Sequence, residues 1–154
     1  MKYIDTSAFV KCYGNERHEK GITAISELVK AARKGEDVLL SSFLIVGEAV
    51  SVFDKWVRKK AISQKELDGL IKKFVADITE LYEKGALILE PLDSSSILFC
   101  LELITKHHIS LNDALHLYTA SAHKREIELF VCADNNLLKA AKAEGLKILN
   151  PEEP

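Results

Sequence analysis

Short runs of apolar, β-prone residues alternate along this chain with longer stretches in which apolar positions return every three or four residues. Lys2 to Ile4 is a strand-like start broken by Asp5-Thr6-Ser7, after which Ala8 to Tyr13 opens a helix. Ile22 to Arg33 predicts a second helix, with Ile22, Ile25, Leu28 and Val29 on one face and Gly35 ending it. Val38 to Ser42 reads as a strand. Leu44 to Lys60 then carries a helical stripe through Val46, Val50, Phe53 and Val57, and Lys65 to Lys84 another through Leu67, Leu70, Phe74, Ile78 and Leu81, stopped by Gly85. Ala86 to Glu90 is a third strand halted by Pro91, and Ser94 to His107 a helix with serines available as caps. Ser110 to Arg125 predicts a helix, Glu128 to Cys132 a strand, Asn135 to Glu144 a helix ended by Gly145, and Leu146 to Leu149 a last strand.

That alternation predicts an α/β fold: a doubly wound parallel sheet of about five strands with helices on both faces. Ligands of such sheets bind beyond the carboxyl ends of the strands, near a switch in strand order. Four acids fall at or near such ends. Asp5 and Asp134 follow the first and fourth strands directly, Glu48 lies in the first turns of the helix after the second strand, and Asp113 in the first turn of its own helix.

The chain has 154 residues and no internal repeat, low-complexity tract or linker, so residues 1–154 are expected to form a single domain. No apolar run approaches the ~20 residues of a membrane span. Asp5 interrupts the N-terminus before a signal-peptide core could form, and a cytoplasmic location is expected. Cys12, Cys100 and Cys132 are odd in number and scattered in apolar surroundings, which fits buried thiols better than disulfides or zinc ligands. With 21 Lys and Arg against 23 Asp and Glu, no overall positive field draws nucleic acid, and any such binding rests on local patches.

Each acid has a plainer reading. Asp5 and Asp134 suit helix N-caps, and Ser110 with Asp113 resembles a capping box. Glu48 is harder to place that way, because it interrupts a run from Phe43 to Val50 where a lone carboxylate is costly to bury. Capping also does not require acids at four junctions on one rim. Carboxylates crowded into one cleft stay ionised together only when a cation compensates them, so the joint pattern reads as a divalent-metal site.

The residues that carry this pattern resemble the PIN-domain nucleases: Tyr3-Ile4-Asp5-Thr6-Ser7-Ala8, Glu48-Ala49, Asn112-Asp113-Ala114-Leu115-His116-Leu117 with Thr119-Ala120, and Val131-Cys132-Ala133-Asp134 with Leu137 and Ala140-Ala141. Order and spacing match over essentially the whole chain. In length and lack of appended modules it is similar to the VapC-type ribonuclease toxins of toxin–antitoxin pairs. The resemblance implies an acidic pocket for Mg²⁺ or Mn²⁺, hydrolysis of single-stranded or loop RNA, homodimers, and inhibition by a small antitoxin. Asp5, Glu48, Asp113 and Asp134 match the family's acidic positions, and Ser7 its supporting hydroxyl. Cys132 departs from the family, where many members carry Thr or Ser, and is a weaker hydrogen-bonding group beside Asp134.

Hard oxygen ligands suit Mg²⁺ or Mn²⁺ independently of the resemblance. Asp5, Asp113 and Asp134 are the expected ligands, Glu48 a further ligand or the group that positions or deprotonates the attacking water, and Ser7 and Asn136 supporting groups. Asn136 also reads as an ordinary polar residue of a first helical turn. Lys55, Arg58, Lys59 and Lys60 are candidates for RNA contact or simply a solvated charged face. His116 is expected to be hydrogen-bonded and half-buried, and His107 and His108 to favour a helix C-terminus. Two other functions compete. A phosphatase of the haloacid dehalogenase type needs a second Asp where Ser7 stands, and a non-catalytic module would bind an Arg-rich partner through the same acids.

Overall fold

The computed structural model describes residues 1–14 and 20–153. Five strands, β1 (Lys2–Ile4), β2 (Leu39–Ser42), β3 (Leu87–Glu90), β4 (Leu129–Val131) and β5 (Ile148–Leu149), form one all-parallel sheet in the order β3-β2-β1-β4-β5. The helices are α1 (Thr6–Phe9), α2 (Ile22–Arg33), α3 (Leu44–Arg58), α4 (Gln64–Glu83), α5 (Ser94–His107), α6 (Leu111–Ala122) and α7 (Asn135–Ala143).

The sheet separates two hydrophobic cores, and the period-two alternation of strand side chains assigns residues to them. Ile4, Leu39 and Val131 point to a core filled by α1 to α4. Tyr3, Leu40 and Phe130 point to the other, filled by α5, α6 and α7. Phe9, Tyr13, Phe53 and Phe74 meet edge-to-face or tilted in the first core, with centroids 5.4 to 6.2 Å apart. Tyr3 stacks on Phe130 at 5.1 Å in the second. The doubly wound parallel fold read from the periodicity is therefore the fold observed.

Local differences have local causes. The helix expected from Ala8 to Tyr13 starts earlier, at Thr6, because Asp5 caps it, and it tightens into a 3-10 turn over Val10–Tyr13. The helix expected to run to Arg125 ends at Ala122. Glu128 and Cys132 flank β4 rather than extend it, and Leu146 packs in the core before β5 begins. The N-cap of α5 is Asp93, to which Ser95 and Ser96 donate, so the serines serve the cap rather than form it. Cys12, Cys100 and Cys132 are free thiols. No helix among the described residues is long and apolar enough to cross a membrane.

Candidate active site

Chain order reverses at β1, whose neighbours are β2 on one side and β4 on the other. The crevice lies where their carboxyl ends part. The Asp5 amide still bonds the Val131 carbonyl at 2.9 Å, so the sheet ladder reaches into the site and fixes the first acid. Asp5 is 5% exposed. Its Oδ2 accepts from the Ser7 amide at 2.9 Å and the Ser7 hydroxyl at 2.6 Å, and the Cys132 thiol lies 3.5 Å away. Ser7 Oγ in turn accepts the Ala133 amide at 3.0 Å, which ties the start of α1 to the segment after β4.

Asp134 ends that segment. Its Oδ1 accepts the Asn136 and Leu137 amides at 2.7 and 3.0 Å, capping α7. The Cys132 sulfur accepts the Asp134 amide at 3.2 Å, so the thiol supports the backbone at this turn in spite of being a weak acceptor. Burial, followed by the charge of Asp5, pushes that thiol up. Asp113 Oδ2 accepts the Ser110 hydroxyl at 2.8 Å in a capping box at the start of α6. Burial raises the Asp113 carboxyl above its ordinary range, and the charges of Asp5 and Asp134 raise it further. The three aspartates therefore share one electrostatic environment.

Capping occupies one of a carboxylate's two oxygens, so it is compatible with a ligand at the other. Oδ2 of Asp5, Oδ2 of Asp113 and Oδ1 of Asp134 do the local work. Among the described residues their opposite oxygens carry no hydrogen bond, Asp5 Oδ1 lying 3.6 Å from His116 Nε2. Glu48 differs. Both of its oxygens are engaged: Oε2 by Thr6 and by His116 at 2.8 Å, Oε1 by the Asn112 amide at 2.9 Å. Burial alone would raise this carboxyl, but the His116 hydrogen bond and charge, with Thr6 and Asn112, hold it below its ordinary range.

His116 is the residue whose weight the sequence understated. It is 1% exposed rather than half-buried, and joins Tyr3 Oη at 2.7 Å through Nδ1 to Glu48 through Nε2. Burial works against its charge, but Glu48, Asp5 and Asp113 outweigh it and raise the imidazole above its ordinary range. Thr6 and Asn112 were legible only as neighbours of Asp5 and Asp113. Thr6 reaches Glu48 because α1 packs on α3, and Asn112 and His116 reach it because the start of α6 meets α3.

Asn136 contributes its backbone amide to Asp134, while its side chain is exposed on α7. Lys55, Arg58, Lys59 and Lys60 are exposed, and Arg58 pairs with Asp54 at 2.8 Å. Because α3 starts at the crevice and runs away from it, Lys55 and Lys59 lie about 10 and 16 Å along the axis from Glu48. His107 is held by Glu144 at 2.6 Å.

The donor set fits a hard cation: carboxylate oxygens left over on three aspartates, one of them raised by burial and further by the charges of the other two. Among the described residues no three His, Cys, Asp or Glu side chains are arranged to hold an ion by themselves. An ion bound directly through one or two carboxylates and keeping its remaining waters suits that spacing.

Fold and crevice together define an α/β domain with an acidic site at the switch point of a parallel sheet. The family model described as the PIN domain matches residues 2–143, and the chain belongs to that family. PIN domains are generally metal-dependent nucleases. Among solved structures the chain is similar to the crystal structure of PAE2754 from Pyrobaculum aerophilum, at 17% identity and a TM-score of 0.55, covering 96% of this chain and 90% of that one. At that identity the likeness is one of fold. No curated protein matches the chain.

Proposed function

We propose that the protein is an endoribonuclease that uses Mg²⁺ or Mn²⁺ to hydrolyse single-stranded or loop RNA, acting as a VapC-type toxin paired with a small antitoxin. The observation that carries the reading is the pair of duties in each aspartate: one oxygen anchors the fold and the other is left for a ligand. Asp5, Asp113 and Asp134 would hold the ion, one or two of them directly and the rest through its waters. When bound, it lowers the pKa of a coordinated water and neutralises charge on the phosphate oxygens. Glu48 is oriented by Thr6, Asn112 and His116, and a carboxylate held below its ordinary range is a weak base. Its role is accordingly to orient the attacking water rather than to deprotonate it. Ser7 keeps Asp5 in its rotamer, and Asn136 keeps Asp134 in place.

The test is cleavage of a labelled single-stranded RNA in Mg²⁺ or Mn²⁺, with EDTA abolishing it. Cleavage that persisted unchanged in chelator would remove the metal from the mechanism, and no cleavage with any divalent ion would favour the binding-module alternative.

The same reading includes a homodimer. Apolar residues of α2 and α3, Ile25, Val29, Ile45 and Phe53 among them, are buried in the chain's own core and offer no partner face. Among the described residues, exposed apolar side chains follow one another most closely on α5, where Ile97, Leu98, Phe99 and Leu101 are 46%, 70%, 59% and 54% exposed beside buried Cys100. A helix apolar on both sides is normally covered on both. Residues 94–101 carry no charge, so a two-fold contact there brings no like charges together. Light scattering is expected to return about twice 17.2 kDa, and Leu98→Glu to return the monomer. A wild-type mass of one chain at micromolar concentration would count against the dimer.

A further inference from the structure

The end of α5 and the first turns of α7 border an open cavity of about 310 Å³ lined by His107, His108, Asn136, Lys139 and Ala140. No carboxylate lines it, although the chain as a whole carries a net charge of −2. His107 Nε2 is occupied by Glu144, whereas Lys139 and His108 form no ion pair among the described residues. The cavity is tied to two of the acids by the backbone. Asn136, which lines it, donates its amide to Asp134, and Ser110, two residues beyond His108, holds Asp113. Two residues span at most about 7 Å, so a group in the cavity sits next to the crevice. His108 also holds a left-handed conformation, φ 55°, at the end of α5, where glycine is the usual occupant. An imidazole is kept there at some backbone cost.

We propose that this cavity is a phosphate subsite, which receives the RNA backbone phosphate next to the one held at the acids. Lys139 supplies the charge, the His108 ring a hydrogen bond, and the Asn136 side-chain carboxamide a contact to the same phosphate or to the ribose hydroxyl beside it. A phosphate contact positions the strand without reading its sequence. It sets the register in which the scissile phosphate meets Asp5, Asp113 and Asp134. The subsite is close to the acids, whereas Lys55 and Lys59 lie about two to three helical turns away along α3. The inference rests on the nuclease reading.

The experiment uses the full chain carrying Asp5→Asn, in EDTA, so that RNA is bound but not cut. Fluorescence anisotropy with a short labelled single-stranded RNA is measured across a salt series for this parent, and for the parent with Lys139→Ala, with His108→Gly, and with both. Glycine fits the left-handed position without strain, and alanine suits the helix, so both variants keep the fold. Lys139→Ala is expected to weaken binding several-fold and to reduce the slope of log affinity against log salt by about 0.7, the value for one phosphate contact on a single strand. His108→Gly is expected to weaken binding with less change of slope, and Lys30→Ala, on the exposed side of α2, to change neither. Single-stranded DNA of the same sequence should lose affinity in the same variants, since the contact is to phosphate, and a loss confined to RNA would move the contact to the ribose hydroxyl and overturn the phosphate assignment. A parent that binds RNA with affinity and slope unaltered by Lys139→Ala and His108→Gly sinks the subsite alone. A parent that fails to bind, together with a wild-type chain that fails to cut in Mn²⁺, sinks the nuclease reading and the subsite with it.

Discussion

Asp5→Asn is expected to reduce RNA cleavage by at least about 10²-fold while leaving the fold intact. Asn retains a side-chain carbonyl for the Ser7 amide and hydroxyl, and it is as good an N-cap as Asp. What it removes is the negative charge that a cation needs and that raises Asp113. In chelator the variant should therefore melt at or slightly above the wild-type temperature. Cleavage assayed in Mn²⁺ beside a thermal melt in EDTA separates the two roles. A large loss of stability would mean that Asp5 matters chiefly as the cap of α1. The same substitution bears on inhibition. In the absence of metal, crowded carboxylates attract a guanidinium, whose planar fork binds two oxygens at once. If an antitoxin places an arginine there, calorimetry will show its affinity weakened by Asp5→Asn and by excess Mn²⁺. Indifference to both would put the partner away from the acids.

His116→Gln is expected to cost about 2 to 4 kcal/mol of stability, because it breaks a buried pair with Glu48 and a hydrogen bond with Tyr3. Glu48 is 23% exposed and keeps some solvent screening, which holds the loss below that of a fully buried pair. For a chain of this size that is a fall in melting temperature of roughly 5 to 15 °C. The effect depends on pH. The imidazole is raised above its ordinary value in the folded protein, so its contribution is complete below the unfolded value of about 6.5 and is lost as pH rises through the higher folded value. Urea denaturation in EDTA should show the wild type losing its advantage over His116→Gln as pH rises above the unfolded value of about 6.5. An advantage constant across that rise would mean that the histidine is held neutral. Cleavage should also fall, because Glu48 loses one of its three anchors.

The α/β pattern was legible in the sequence because helix and strand impose different spacings on apolar residues, and each strand here is short and bounded. Asp5 and Asp134 could be read as edge residues for the same reason: each follows an apolar run and immediately precedes a helix. Local chemistry also settled the capping box of Ser110 and Asp113, since it spans only three residues. The uncovered side of α5 escaped notice, since an apolar helix reads the same whether its second side meets core or solvent.

The sequence by itself determined which residues end strands, which cap helices, and that four acids could gather at one rim. It could not determine which oxygen of each acid stays free, nor that Glu48 would be tied to Thr6, Asn112 and His116. Those partners are separated from Glu48 by 42, 64 and 68 residues, and no local period encodes such distances. Strand order decided them. Placing β1 between β2 and β4 brings α1 and the start of α6 against α3, where burial makes an unpaired carboxylate costly and a paired imidazole stable.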